Sequence, residues 1–174
     1  MSKFYAALLG AVLALPVVVS AAIDETIRVK ESVEINAPAD KVWGLVGNFG
    51  DLGSWHPAIA KTEITSGNKD EVGATRVLTL QDGGKINETL TARDAASMTI
   101  KYEITESVLP LREYSATIVV QAKDGKTVVT WKSMFKRKDP AHEPKAGEDD
   151  KTAKDTITAI FKTGLENLKK VAEK

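Results

Sequence analysis

The sequence contains no cysteine among its 174 residues. Disulfide crosslinks and cysteine-ligated metal sites are therefore excluded, and stability must come from a packed core. The chain has only two histidines, His56 and His142, which lie far apart in sequence. This spacing matches no known set of metal ligands, so we expect neither a metal site nor a cofactor.

The sequence also lacks an excess of either charge, with 24 Lys and Arg residues against 24 Asp and Glu residues. This balance disfavours a strongly basic nucleic-acid binder, and we expect no nucleic-acid partner. A glycine-rich phosphate loop and a Gly-x-Ser-x-Gly nucleophile elbow are both missing. No catalytic residue is therefore indicated by a motif.

One long apolar run is present, and it lies at the N-terminus between Ala6 and Val19. Lys3 precedes this run and the small residues Ser20–Ala22 follow it. This pattern predicts a cleavable signal peptide over residues 1–22, export to the periplasm, and one mature domain over residues 23–174. The alternative is an uncleaved anchor, for which the run is short because a bilayer span needs ~20 apolar residues. We therefore expect no stable membrane anchor after cleavage.

The most regular pattern occupies the stretch Gly147–Lys174. Its charged residues fall outside an apolar stripe whose members are three or four residues apart, namely Ala153, Ile157, Ile160, Phe161, Gly164, Leu165, Leu168 and Ala172. This spacing predicts one long amphipathic helix from about Glu148 to Glu173. Such a helix needs a broad apolar surface to cover its stripe.

Residues alternate between apolar and polar in seven other segments, which predicts strands with one buried face. The predicted strands are Arg28–Ile35, Ala60–Ser66, Ala74–Gln81, Lys85–Arg93, Met98–Ser107, Glu113–Lys123 and Lys126–Arg137. Pro38 predicts the first turn of a short helix capped by Asn36 or Ala37, and Asn48–Pro57 predicts a second short helix. Short turn sequences between the later strands favour an antiparallel meander.

The predicted fold class is therefore α+β. A curved antiparallel sheet of about seven strands wraps around the C-terminal helix, with two short helices after the first strand. Wherever the helix does not fill the concave side of the sheet, a cavity is expected.

Several motifs resemble the polyketide cyclase/dehydrase-like branch of the START/Bet v 1-like (SRPBCC) superfamily. They are Val33–Trp43 with its Ala37-Pro38, Phe49–Leu52, Trp55–Pro57, Gly73–Arg76, Leu109–Leu111, Trp131–Phe135 and Asp139-Pro140. The resemblance covers nearly all of the mature chain and implies a helix-grip fold around a hydrophobic pocket. Together with an export signal, it is similar to the MxaD family of accessory proteins in periplasmic methanol oxidation. That likeness implies a role beside methanol dehydrogenase and its cytochrome c, and it supplies no catalytic residue.

Three functions follow as hypotheses. The first is a non-catalytic exported protein that binds a hydrophobic small molecule or assists electron transfer from methanol dehydrogenase to cytochrome c. The second is a cyclase- or dehydratase-type enzyme in which His56, Glu88, Tyr102 and Tyr114 supply acid and base groups. The third is a periplasmic carrier of lipids or other hydrophobic molecules.

Arg76 and Glu88 are candidate pocket residues. A three-residue loop Asp82–Gly84 predicts that they lie diagonally on the apolar face, where an ion pair would offset the cost of burial. The alternative is that a bulge turns both outward or that they lie at a solvated mouth.

Aromatic residues provide the other inward-facing candidates. The alternation of the last strand predicts that Trp131 and Phe135 face inward and pack on Phe161 and Leu165, either as core residues or as ligand contacts. Tyr102 and Tyr114 lie in phase with apolar neighbours, so their hydroxyl groups need partners inside or a ligand.

The Trp55-His56 pair precedes Pro57 where the pocket mouth is expected. His56 is either a hydrogen-bonding or proton-transferring group or a residue that holds its loop. His142 is expected to be solvated. The basic run Lys136–Lys138 is a candidate docking site for an acidic protein.

Overall fold

A computed structural model describes residues 25–174. The strands are β1 (Ile27–Ile35), β2 (Ile59–Ser66), β3 (Thr75–Leu80), β4 (Lys85–Asp94), β5 (Thr99–Ser107), β6 (Leu111–Lys123) and β7 (Lys126–Arg137). The helices are α1 (Ala39–Val46), a single 3-10 turn (Leu52–Ser54) and α2 (Asp150–Ala172). The expected signal peptide, residues 1–22, lies outside the described residues. No helix within residues 25–174 is both long enough and apolar enough to cross a membrane.

The seven strands form one antiparallel sheet in the order β1-β7-β6-β5-β4-β3-β2. Helix α2 packs on the inner face of this sheet, with its contacts concentrated on β1 and β7. This arrangement confirms the predicted helix-grip fold, in which sheet and helix bury their apolar sides against each other.

Strand β7 shows how the sequence produces the buried face. Val129, Trp131, Ser133 and Phe135 are buried, and the residues between them face outward, as the alternation predicts. Opposite them, the stripe of α2 buries its apolar residues along the whole helix. At the start of α2, the Asp149 carboxylate accepts a hydrogen bond of 2.8 Å from the Thr152 backbone N–H and caps the helix.

The structure refines two local predictions. The predicted second short helix is the 3-10 turn Leu52–Ser54, and the Leu52 carbonyl accepts from the backbone N–H groups of Trp55 and His56 at 3.3 and 2.9 Å before Pro57 ends the turn. The N-cap of α1 is Pro38, one or two residues later than predicted. Pro38 has the extended backbone of a cap residue, with φ −59° and ψ 143°.

The register of β3 against β4 also differs from the prediction. Arg76 lies directly opposite Glu88, and Leu78 lies opposite Ile86. The predicted loop placed Glu88 opposite Leu78, which offsets the two charged residues by two positions along the strand. The Leu80 N–H donates to the Gly84 carbonyl at 2.8 Å, so the three loop residues are 81–83. Gly83, with φ +87°, occupies the left-handed position that commonly ends such a loop.

Candidate binding cavity

A cavity of about 260 Å³ lies between the inner face of the sheet and α2. Its lining is mostly apolar, with buried polar groups contributed by His56, Glu88, Tyr102 and Tyr114 and exposed ones by Gln81 and Asp82. The apolar lining comes from Leu52, Ala58, Ile59, Leu78, Leu80, Ile86, Ile104, Leu109, Trp131, Ile157, Ile160 and Phe161. A concave apolar site with few polar groups is the usual form of a small-molecule site.

The solvent-accessible part of the lining lies beside the β3–β4 hairpin. Gln81 and Asp82 are exposed, and Ala58 and Ile160 are half-buried. The Gln81 side chain donates to the Pro57 carbonyl at 3.1 Å and thereby ties the hairpin to the segment before β2. The mouth is therefore bounded by this tie on one side and by α2 on the other.

Of the ten residues predicted to line a pocket, six do so: His56, Glu88, Tyr102, Tyr114, Trp131 and Phe161. The other four, Trp55, Arg76, Phe135 and Leu165, are buried but do not line the cavity. They pack behind the lining. Phe135 stacks on Tyr114 with 5.8 Å between ring centroids, and Trp55 meets Trp131 edge-on at 5.7 Å.

Glu88 forms a buried ion pair with Arg76, and each residue is 4% exposed. Arg76 Nε donates to Glu88 Oε2 at 2.7 Å, and Nη2 lies 2.6 Å from the same oxygen. Its Nη1 donates to the Phe49 carbonyl at 2.6 Å, and its guanidinium lies 4.0 Å from the centroid of the Phe49 ring. Burial raises the pKa of Glu88 above its usual value, and the charge of Arg76 opposes that rise.

The two tyrosines continue the polar side of the cavity. Trp131 Nε1–H donates to the Tyr102 hydroxyl at 3.0 Å. The Tyr114 ring lies tilted against the Tyr102 ring, with 6.2 Å between the ring centroids. Burial, reinforced by the charge of Glu88, raises the pKa values of both tyrosines well above the usual value. Both phenols are therefore neutral and act as hydrogen-bonding groups at physiological pH.

His56 connects the 3-10 turn to α2. It is 1% exposed, its Nε2 lies 3.1 Å from the Ile160 carbonyl, and its Nδ1 accepts from the Ala58 N–H at 3.3 Å. These partners assign the proton to Nε2 of a neutral ring. Burial lowers the pKa of His56, although the hydrogen bond to Ile160 opposes the shift. Both ring nitrogens are therefore engaged in holding the loop.

Sequence reasoning missed Phe49, which supplies both the carbonyl and the ring that position Arg76. It also missed most of the aliphatic lining. The period-two alternation of β3 and β4 was a usable signal for Leu78 and Ile86, since both share the buried face with Glu88. No comparable signal indicates which side of α2 meets empty space.

The basic run Lys136–Lys138, the predicted docking site, lies among acidic side chains. Arg137 is bound to Asp150 at 2.9 Å and to two loop carbonyls, so it secures the loop before α2. Lys136 and Lys138 each lie near a glutamate, Glu113 and Glu148, at 2.8 and 3.8 Å. Acidic neighbours thus accompany all three members of the run.

A different group of cations lies on the outside of the sheet. We define the basic outer face as Arg28, Lys30, Lys101 and Lys132, all of them exposed. Lys30 lies directly opposite Lys132 on the neighbouring strand, an arrangement that costs stability through like-charge repulsion. None of these four cations has an ion-pair partner within residues 25–174. Met134, 46% exposed, lies opposite Arg28 within this face.

Residues 26–173 match the profile of a family described as polyketide cyclase / dehydrase and lipid transport. The chain belongs to this family. Within the polyketide cyclase/dehydrase fold, similar solved structures are XoxI from Bacillus cereus and an uncharacterized protein from Bacillus thuringiensis. XoxI is 26% identical over 83% of this chain and 94% of its own, with a TM-score of 0.72. The second is 27% identical over 83% and 97%, with a TM-score of 0.71.

A third structure, Ara h 8.0201, is 21% identical over 83% of this chain and 98% of its own, with a TM-score of 0.60. At that identity the likeness shows the shared Bet v 1-like fold alone. No curated relative matches the chain significantly. The family match over residues 26–173 confirms the resemblance to the SRPBCC superfamily that the motifs predicted.

Proposed function

We propose that this chain is an exported, non-catalytic binding protein whose cavity holds a small apolar molecule. The observation that carries this proposal is the cavity of about 260 Å³, lined mainly by aliphatic and aromatic side chains. Burying such a ligand releases apolar surface from water at ~25 cal/mol per Å². Membership in a family of cyclases and lipid transporters is consistent with an apolar ligand.

The size of the cavity favours a small molecule over a membrane lipid. Pockets for drug-sized ligands measure ~300–1,000 Å³, and this cavity lies just below that range. A lipid carrier would therefore have to open further, by separating α2 from the β3–β4 hairpin.

A cyclase or dehydratase is the second candidate, because His56, Glu88, Tyr102 and Tyr114 all line one cavity. The state of these groups argues against it. Both nitrogens of His56 have protein partners, Glu88 is bound to Arg76, and both tyrosine pKa values are raised. His56 and Glu88 are thus engaged by protein partners, whereas a general acid or base must reach the substrate proton.

Binding is tested with purified full-length mature protein by two measurements. Native mass spectrometry of protein from its own host reports any retained ligand. Toluene titrated into ¹⁵N-labelled protein should shift the amide signals of Leu78, Ile86 and Ile157, which line the cavity. Amides on the basic outer face should not move. Absence of a retained ligand together with unmoved cavity signals would overturn the proposal.

The finer part of the proposal is an accessory role in periplasmic methanol oxidation, assisting electron transfer from methanol dehydrogenase to cytochrome c. The motif resemblance and the expected signal peptide support it. The basic outer face would suit an acidic partner, since opposite charges steer encounter. In a reconstituted assay, the protein should raise the rate of cytochrome c reduction.

The docking surface is tested by Lys30→Gln with Lys132→Gln, which removes two charges from the basic outer face. This variant should give a smaller increase in the rate of cytochrome c reduction, and that increase should depend less steeply on salt concentration. The control is Lys41→Gln with Lys123→Gln, which removes two exposed charges elsewhere. Equal behaviour of the two variants would refute docking through this face, and no rate effect of the wild-type protein would refute the accessory role.

A further inference from the structure

The Glu88 carboxylate has one oxygen engaged and one without a donor. The hydrogen bond from Arg76 Nε and the ion-pair contact of Nη2 both end on Oε2, and no hydrogen bond to Oε1 is found within residues 25–174. Glu88 lines the cavity whereas Arg76 does not. The guanidinium therefore approaches the carboxylate from outside the cavity, and Oε1 is the acceptor left for an occupant.

Arg76 is held by the protein at all three nitrogens and does not line the cavity. Its Nη1 is bound to the Phe49 carbonyl, its Nε and Nη2 are bound to Glu88, and its face lies on the Phe49 ring. An anionic ligand would thus meet the Glu88 carboxylate without gaining a cation. A cationic ligand would bring a second positive charge to a carboxylate that Arg76 already neutralises, and burying that charge is costly. The site therefore favours an uncharged ligand.

The other buried polar groups of the lining are the two tyrosine hydroxyls, which can donate as well as accept, and groups that already have protein partners. His56 uses both nitrogens within the protein, and Trp131 gives its N–H to Tyr102. An uncharged ligand with only acceptor atoms would therefore leave Glu88 Oε1 unpaired in an apolar space, at the cost of an unsatisfied buried group. A ligand that donates a hydrogen bond removes this cost.

Resting on the binding function above, we propose that the cavity selects an uncharged, single-ring-sized apolar molecule that carries one hydroxyl or N–H group and donates it to Glu88 Oε1. The volume agrees with this size, because a cavity of ~150 Å³ is enough for benzene and this one measures about 260 Å³. The class comprises phenols, small alicyclic alcohols and related N–H heterocycles.

Three ligands of similar shape test the proposal on the wild-type protein: p-cresol, 4-methylanisole and toluene. Dissociation constants are measured by NMR titration at neutral pH. p-Cresol should bind at least about tenfold more tightly than 4-methylanisole, the ratio expected for a hydrogen bond to a charged acceptor. Equal affinities would overturn the selectivity while leaving the binding function intact. If none of the three binds, the binding function itself fails.

Two variants locate the preference at Glu88. In Arg76→Met with Glu88→Leu, both charges are removed together, so the fold avoids an unpaired buried cation. This variant should keep toluene binding and lose the preference for p-cresol. Glu106→Gln, on the exposed outer side of β5, is the matched control and should retain the preference. A preference that survives in the double variant would assign the donor to another acceptor and refute the proposal.

Discussion

Gly164 is a position where adding a single methyl group should destabilise the fold, because the added Cβ would clash with buried rings. A Cβ built there lies 2.5 Å from His56 Cδ2, 2.8 Å from His56 Nε2 and 3.1 Å from Trp131 Cζ3. The His56 ring is held at both nitrogens and is almost fully buried, so it cannot swing away freely. Gly164→Ala should therefore displace the ring and weaken its hydrogen bond to Ile160.

The size of the effect follows from opposing contributions. Alanine in place of glycine within a helix favours folding by ~1 kcal/mol. Overpacking a core costs ~1–3 kcal/mol, and a lost hydrogen bond costs a further ~0.5–1.5 kcal/mol. We expect a net loss of about 2 kcal/mol in the free energy of unfolding. For a domain of this length, that loss lowers Tm by ~4–8 °C.

The assay is urea unfolding followed by tryptophan fluorescence, with calorimetry for Tm. Gly44→Ala is the matched control, because Gly44 is also helical and its added Cβ meets nothing within 4 Å. It should be stabilised by ~0.5–1 kcal/mol. In a His56→Ala background, Gly164→Ala should cost much less, since the ring is gone. A Gly164→Ala protein as stable as the wild type would refute the packing argument.

Three further predictions concern buried polar groups. The lowered pKa of His56 means that the unfolded chain binds the proton more tightly than the folded chain, so the free energy of unfolding should be highest above pH ~6.5 and should decrease as the pH falls below that value. Urea titrations from pH 8 to 5 should show this decrease, and His56→Gln should lack it. Glu88→Gln leaves the Arg76 charge unpaired and should cost ~3–5 kcal/mol by urea unfolding, whereas Arg76→Met with Glu88→Leu should recover most of the loss. Thr127→Val leaves the Ala37 carbonyl without its 2.6 Å hydrogen bond and should lower the free energy of unfolding by ~1–3 kcal/mol. The control is Thr130→Val, which should be nearly neutral because the hydrogen bond between Thr130 and Ser32 is exposed to solvent.

The fold was predictable because its main elements carry long, regular patterns. Strand β7 was predicted at its observed bounds, Lys126–Arg137, since its buried and exposed residues alternate without interruption. Helix α2 was predicted to within two residues at its start, because its stripe repeats over six turns. The Asn48–Pro57 segment has no such repeat, so its pattern does not distinguish an α-helix from the observed 3-10 turn.

The site was less predictable because it depends on single-residue register and on side-chain volumes. Moving the β3–β4 loop by one residue converts the diagonal Arg76–Glu88 pair into a directly opposed one. The inward face is the same in both registers, so burial was inferred correctly while the geometry of the pair was not.

The sequence pattern does not show which inward-facing residues line the cavity and which belong to the filled core. Trp131 and Phe135 both face inward from β7, yet only Trp131 lines the cavity. The two side chains differ in the neighbouring elements that they contact. Trp131 stacks on Phe161 of α2 with 4.2 Å between ring centroids, and Phe135 stacks on Tyr114 of β6. Alternation along one strand defines the buried face, but the unfilled space within that face is set by contacts between elements distant in sequence. A cavity-filling change such as Ile86→Phe should therefore abolish ligand binding without moving any strand, an outcome that titration with toluene and comparison of amide spectra would test together.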